Sequence, residues 1–208
     1  TTEIYTLSLH DALPILAVVF DPSGPTFRHE MYSDYKANRD ETPEDIRKSV
    51  PYIKKLIEAY RIPVIDYPGY EADDVIGTLA KQASEKGFIT YMMTPDKDFA
   101  QLVSENIYMY KPSRSGNDSV QWGPDDIRRE FSVKQPLQVI DILALMGDSS
   151  DNIPGAPGIG PKTAMKLISE YGSVEELLNN TGKLTGKLRE NIENNREKIE
   201  LSKKLATI

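Results

Sequence analysis

Leu16 to Phe20 is a continuous apolar run that ends at Asp21 and passes at once into Pro22, Ser23, Gly24 and Pro25. A short apolar run closed by turn formers reads as a buried strand of a parallel sheet, with a loop at its carboxyl end. Such a strand constrains the whole chain, because each parallel neighbour needs a helical crossover. Pro63 to Asp66 and Phe88 to Met93 read as the next two strands. Between the first pair, Thr42 caps a helix opening with Pro43, Glu44 and Asp45, in which Ile46, Val50, Ile53 and Ile57 share a face up to Tyr60 and Pro51 introduces a kink. Between the second pair, a helix starts near Glu71 and stops at Gly87, with Val75, Leu79 and Ala83 at four-residue spacing. The pattern predicts an α/β layer with a parallel sheet. After about Phe131 only helices are predicted: Gln135 to Met146, Lys162 to Tyr171, Ser173 to Asn179 and Leu184 to Leu205. Asp34 to Thr42 and Pro112 to Ser119 are polar and read as mobile connections.

Composition narrows the chemistry. The 208 residues include no cysteine and two histidines, His10 and His29, so disulfides and Cys- or His-rich metal sites are excluded and any metal is held by oxygen. The longest apolar run, Leu13 to Phe20, is too short to span a bilayer, and Asp11 stands where a signal peptide carries a base. The expectation is a soluble, intracellular protein. A net charge of −7 argues against nucleic acid, but residues 181–208 hold seven Lys/Arg against four Glu, leaving 18 basic against 28 acidic residues elsewhere. Carboxylates clustered in a metal site are partly neutralised there, so the formal charge overstates the repulsion.

The acids recur at element ends. Asp21 closes the first strand, where ligands bind in open α/β sheets, though alone it reads equally as a turn residue. Glu71, Asp73 and Asp74 open a helix, where capping is the plain alternative. In a regular helix Asp73 turns about 200° from Glu71, so the three converge only if the first turn is irregular. Asp96 and Asp98 follow the third strand, and Asp148 and Asp151 lie in Gly147-Asp148-Ser149-Ser150-Asp151-Asn152, which could be a capping turn. Four acidic groups brought to one sheet edge repel one another unless cations lie between them. Oxygen-only ligation points to Mg²⁺ or Mn²⁺, and paired ions at such a site suit phosphodiester hydrolysis.

Gly155-Ala156-Pro157-Gly158-Ile159-Gly160-Pro161-Lys162-Thr163 nearly matches a P-loop, but Pro161 intervenes and no apolar strand precedes it. It reads better as a hairpin between helices whose amides hold a nucleic-acid phosphate, with charge from Lys162 and Lys166; a plain turn is the alternative. Thr26 to Glu30 and Tyr35 to Arg39 interleave basic and aromatic residues, as a loop touching single strands would.

Taken in order, Phe20-Asp21, Phe27 to Tyr32, Tyr35 to Arg39, Gly69 to Asp74, Asp96 to Asp98, Met146 to Asn152 and Gly158 to Gly160 resemble the 5′ nuclease domain of bacterial DNA polymerase I, in the flap endonuclease superfamily. The resemblance runs from about Leu16 to Ile208. It implies a PIN-like nuclease core over 16–132 and a helical lobe over 133–208 containing a helix-hairpin-helix. The implied activity is removal of DNA 5′ flaps and RNA primers beside a polymerase, in replication and repair, by a monomer in the bacterial cytoplasm. It assigns Asp21, Glu71, Asp73, Asp74 and Asp96 to one of two metals, and Asp98, Asp148 and Asp151 to the other. Lys36 and Arg39 match an arch over single-stranded 5′ ends with Tyr35 beside them, and Arg28 is expected as a nearby phosphate contact. Gly158, Ile159, Gly160, Lys162, Thr163 and Lys166 are expected on duplex DNA, with K⁺ at the hairpin. One departure stands out: the family's first strand, with an Asp-Gly-Asn ligand motif, is replaced by Thr1 to Ile15, which resembles translated sequencing-adapter read-through. A DNA-binding chain without catalysis and a PIN-type ribonuclease are the rival readings.

Overall fold

The computed structural model describes residues 15–111 and 120–208; the connection expected at Pro112 to Ser119 lies outside them, as does nearly all of the segment 1–15. The elements run β1 (Val18–Val19), α1 (Phe27–Met31), α2 (Glu44–Ala59), β2 (Val64–Ile65), α3 (Ala72–Glu85), β3 (Thr90–Met93), a 3-10 segment (Lys97–Leu102), β4 (Ile107–Lys111), β5 (Val120–Trp122) and α4 (Pro124–Phe131). The lobe follows with α5 (Val139–Met146), α6 (Pro161–Tyr171), α7 (Val174–Asn179), α8 (Gly186–Asn194) and α9 (Arg196–Ala206). Among the described residues no helix is long and apolar enough to cross a membrane.

The expected single parallel layer is divided. β1 pairs in parallel with β2, β3 pairs in parallel with β4, and β5 adds antiparallel to β4. Among the described residues no strand joins β1 to β3, and α3 packs across both. Gly77 lets the 3-10 segment and the chain's last residue pack onto α3, since a Cβ there would lie 2.9 Å from Ile208 Cγ2 and 3.2 Å from Leu102 Cδ1. Gly77 and Ala80, rather than Val75, Leu79 and Ala83, are therefore the buried residues of α3.

Three further expectations change. α2 starts after Pro43 rather than on a Thr42 cap and runs through Pro51 to Ala59 with no buried residue; Ile53, Leu56 and Tyr52 lie exposed. The segment Leu184 to Leu205 is two helices divided at Asn195, whose Nδ2 donates to Asn191 O at 2.8 Å and so satisfies a carbonyl at the end of α8. Thr26 to Glu30 is no loop, since α1 begins at Phe27.

The apolar core is deepest in the lobe and at its seam with β4. Ile142, Leu143 and Leu145 of α5 are buried against α6, α7 and α9, which contribute Ile168, Leu177 and Ile199. The end of α9 is tied to the α/β layer, where Gln101 Nε2 donates to Ala206 O at 2.9 Å, and to the loop after α5, where Ser202 Oγ accepts from Gly155 N at 2.9 Å.

Candidate active site at the sheet edge

The carboxyl ends of β1, β2 and β3 deliver acids from short, tightly bonded turns. Asp21 follows β1 and accepts the Ala72 amide on Oδ1 at 2.8 Å, which fixes it beside the start of α3. Glu71 is the N-cap of α3 with extended backbone, so it stands outside the helix and the 200° separation from Asp73 does not apply. Asp96 caps the 3-10 segment, accepting from the Asp98 amide at 3.0 Å, and Asp98 lies in its first turn. Asp148 and Asp151 come from the loop after α5, closed by paired bonds between Asp148 and Ile153 at 3.0 and 2.8 Å. Gly147 and Gly155 make that closure possible. Both have positive φ, and a Cβ on Gly147 would sit 2.5 Å from Ile153 O while one on Gly155 would collide with the backbone of Met146 and Gly147.

Electrostatics couple the acids along the edge, with Asp96 acting on both Asp73 and Asp98. The Asp73 carboxyl is pushed up to about 6 by burial and by the nearby charges of Asp96, Asp21 and Glu71. The Asp98 carboxyl is pushed up to about 7, first by burial and then by Asp96, Asp148 and Asp151, with Lys97 opposing. Its Oδ1 is buried without a hydrogen-bond partner; Lys97 Nζ stands 4.0 Å away. An orphaned, buried carboxylate oxygen amid other carboxylates suits a hard divalent cation, which takes oxygen ligands. Among the described residues no three His, Asp or Glu side chains are yet gathered into an ion cage.

Cations hold these acids instead. Lys36 Nζ donates to Glu71 Oε1 at 2.6 Å and lies 3.7 Å from Asp151 Oδ2, and Arg39 pairs with Asp151. Lys97 Nζ donates to Asp148 Oδ2 at 2.6 Å. Burial works against ionising Asp148, but the bonds from Lys97 and Ser150 outweigh it and hold its carboxyl below the ordinary range. The Tyr35 hydroxyl donates to Glu71 Oε2 at 3.0 Å and Asp151 Oδ2 at 3.2 Å. Burial, then Glu71 and Asp151, raise its pKa, so the phenol stays a donor across the physiological range.

The segment expected to be mobile is therefore pinned over Tyr35 to Arg39. Lys36 takes a left-handed backbone, φ 57°, with its amide on Asp151 O at 2.9 Å, and Asn38 Nδ2 donates to Ser149 O at 2.6 Å. Two residues of the edge carry no role legible in the local pattern: Lys97, which lies between Asp96 and Asp98, and Gly147, whose signal is its place just before the acidic loop.

Away from the edge, Gly158 and Gly160 are exposed and precede α6, on whose outer face Lys162 and Lys166 border an open recess with Ser132 and Met165. Thr163 is half-buried, its amide on Gly160 O at 3.1 Å. The Ile159 side chain is buried, so it anchors the hairpin instead of facing DNA. Asn191 of α8 bonds Pro157 O and braces the turn.

Two family models account for nearly the whole chain: the 5′-3′ exonuclease N-terminal resolvase-like domain over residues 2–132 and the 5′-3′ exonuclease C-terminal SAM fold over 134–208. The chain belongs to the 5′-3′ exonuclease family. It is 40% identical over 205 residues to the 5′-3′ exonuclease of Aquifex aeolicus, covering 99% of this chain and 68% of that protein. It is 41% identical over 194 residues to DNA polymerase I of Bacillus caldotenax, covering 93% of this chain but only 22% of the polymerase, so it spans about a fifth of such relatives. The zinc-bound T5 5′-exonuclease superposes with a TM-score of 0.77 at 25% identity, covering 91% of this chain and 73% of the phage protein. The catalytic core of Rad2 with DNA substrate shares the fold, TM-score 0.56 at 20% identity over 90% of this chain and 62% of Rad2.

Like Ile159, Arg28 departs from its expected role in this exonuclease-family chain. Arg28 is fully buried: Nη1 and Nη2 grip Asp74 at 2.7 and 2.8 Å, Nε donates to Leu205 O at 2.8 Å and Nη2 to Thr207 O at 2.7 Å. It satisfies carbonyls at the end of α9 and has no exposed donor for a phosphate. Asp74 also accepts the Glu71 amide at 3.0 Å, and where Glu71 and Asp151 are paired with the more exposed Lys36 and Arg39, Asp74 is held by the fully buried Arg28.

Proposed function

We propose that this chain is a divalent-metal-dependent 5′-3′ exonuclease and flap endonuclease that hydrolyses phosphodiesters near DNA 5′ ends, flaps and RNA primers. The observation that carries this reading is the pair of mutually repelling carboxylate groups, Asp21, Glu71, Asp73 and Asp96 beside Asp98, Asp148 and Asp151, at the carboxyl edge of parallel strands. Mg²⁺ or Mn²⁺ would be held by these oxygens, two ions in all, and would supply an activated water and charge stabilisation for in-line displacement. Lys36 and Arg39 stand next to the carboxylates and are the cations placed to meet a scissile phosphate once divalent ions take over Glu71 and Asp151. Tyr35, expected beside the single strand, is buried, so it holds those two carboxylates in register and acts on the site through them instead of touching DNA. The exposed turn at Gly158 and Gly160, with Lys162, Thr163 and Lys166, would receive a duplex phosphate, and K⁺ would be a further cation held at the hairpin. A monomer working in the bacterial cytoplasm beside a polymerase region fits relatives that are DNA polymerase I.

The divided sheet favours a second reading, a DNA-binding chain that cleaves poorly, because β1 and β3 present acids from edges that no described strand joins. Incubating the chain with a 5′-flap duplex and Mg²⁺ decides between them. Release of the flap by the wild type, lost on adding a chelator and in Asp73→Asn, is the expected result. Tight duplex binding with no cleavage in Mg²⁺ or Mn²⁺ would leave only the second reading. Calorimetric titration with Mn²⁺ should show weaker binding in Asp73→Asn; unchanged binding removes Asp73 from the ligands.

A further inference from the structure

Between β2 and the Glu71 cap the chain makes a tight turn, Tyr67-Pro68-Gly69-Tyr70, closed by the Tyr70 amide on Tyr67 O at 3.2 Å with Gly69 at φ +86°. Two tyrosine rings are displayed there instead of being buried. Tyr67 is 59% and Tyr70 47% exposed, with ring centroids 5.7 Å apart and edge to face. Phe27 of α1 extends the row, its centroid 5.5 Å from Tyr70, and its amide donates to Gly69 O at 3.0 Å, which ties the turn to α1. Arg28 Cζ sits 4.6 Å over the Phe27 ring and backs the row from inside.

An isolated exposed tyrosine needs no explanation, but three neighbouring rings at the brink of a charged site do. Glu71 follows Tyr70 directly, and the next amide, Ala72, holds Asp21. We infer that Tyr67, Tyr70 and Phe27 form a stacking platform for unpaired bases of a 5′ single strand entering the carboxylate edge. Aromatic faces stack on any base, which suits a site that must accept every flap sequence, and base stacking of this kind is open to single strands but not to the interior of a duplex. A protein partner fits less well, because the row is narrow and ends at the acidic edge. The phenol hydroxyls are not needed for stacking, so the rings alone should suffice.

This inference rests on the 5′-nuclease reading, and the experiment separates the two. A 5′-flap duplex carrying 2-aminopurine in the first unpaired positions is titrated with the 208-residue chain in the presence of a chelator, alongside a blunt duplex of the same sequence. Quenching of 2-aminopurine on binding is expected for the wild type. Tyr67→Ala with Tyr70→Ala should lose most of that quenching and weaken flap binding about tenfold, from the usual worth of one stacked base, with blunt-duplex affinity unchanged. Tyr67→Phe with Tyr70→Phe should behave as the wild type. If the alanine pair binds and quenches like the wild type, or loses flap and blunt-duplex binding equally, the platform is wrong while the nuclease reading stands. If the wild type binds the flap no better than the blunt duplex and cleaves neither in Mg²⁺, both fall.

Discussion

The carboxylate edge and the helical lobe are built on opposite principles. In the lobe, α5 buries seven consecutive residues, and its neighbours close around it with apolar side chains. At the edge, β1 and β2 contribute two-residue strands, α2 buries nothing, and cations hold acids that repel one another. Stability therefore resides where no chemistry is expected, and the proposed chemistry resides where the packing is thinnest. Arg28 couples the two regions, since one guanidinium reaches Asp74 at the edge and the last carbonyls of α9 in the lobe.

Breaking that coupling should have the largest effect. Arg28→Ala strands the Asp74 carboxylate and the α9 carbonyls without a partner, and a loss of about 3–5 kcal/mol is expected from removing one member of a buried pair. Urea unfolding followed by circular dichroism measures it, and a loss below about 1 kcal/mol would show that the two regions are not joined there. Packing itself comes next. Leu143→Ala should cost about 2–5 kcal/mol by leaving a cavity, whereas Ile53→Ala on the exposed side of α2 should stay within about 0.5 kcal/mol. Equal losses at the two positions would erase the contrast.

The edge should also respond to pH in a way the lobe does not. Asp73 and Asp98 titrate near 6 and 7 when folded, against 3.8 ordinarily, so the folded chain holds their protons more tightly than the unfolded chain. Their contribution is present below about pH 4 and is lost as pH rises through 6 to 7. Asp148 and Glu175, held low when folded, act in the opposite direction at the acid end of the range. In a chelating buffer, Asp98→Asn should therefore be more stable than the wild type at pH 8 and converge with it toward pH 4. A difference that does not change with pH would mean that Asp98 is not under charge stress. The smallest effect concerns the hairpin: Lys162→Ala should lower the log-log salt slope of duplex binding by about 0.9 and weaken all sequences alike. An unaltered slope would take Lys162 out of the interface.

The sequence by itself determined the alternation of strand and helix, the helical second half, and which acids stand at element ends. These are local properties: apolar runs, turn formers and spacing act within a few residues of themselves. It also carried, in order, the motifs that lie within the spans of the two exonuclease-family models. Only the tertiary structure decided which charges meet. Arg28 and Leu205 are 177 residues apart, Lys36 and Glu71 are 35 apart, and Lys97 and Asp148 are 51 apart, so no local pattern could pair them. That is why Arg28 read as a phosphate contact and proved to be a buried tie, and why Lys97 was passed over. The apolar face of α2 misled for the same reason: periodicity shows that a helix has a face to bury, but only the packing of distant elements decides whether anything lies against it.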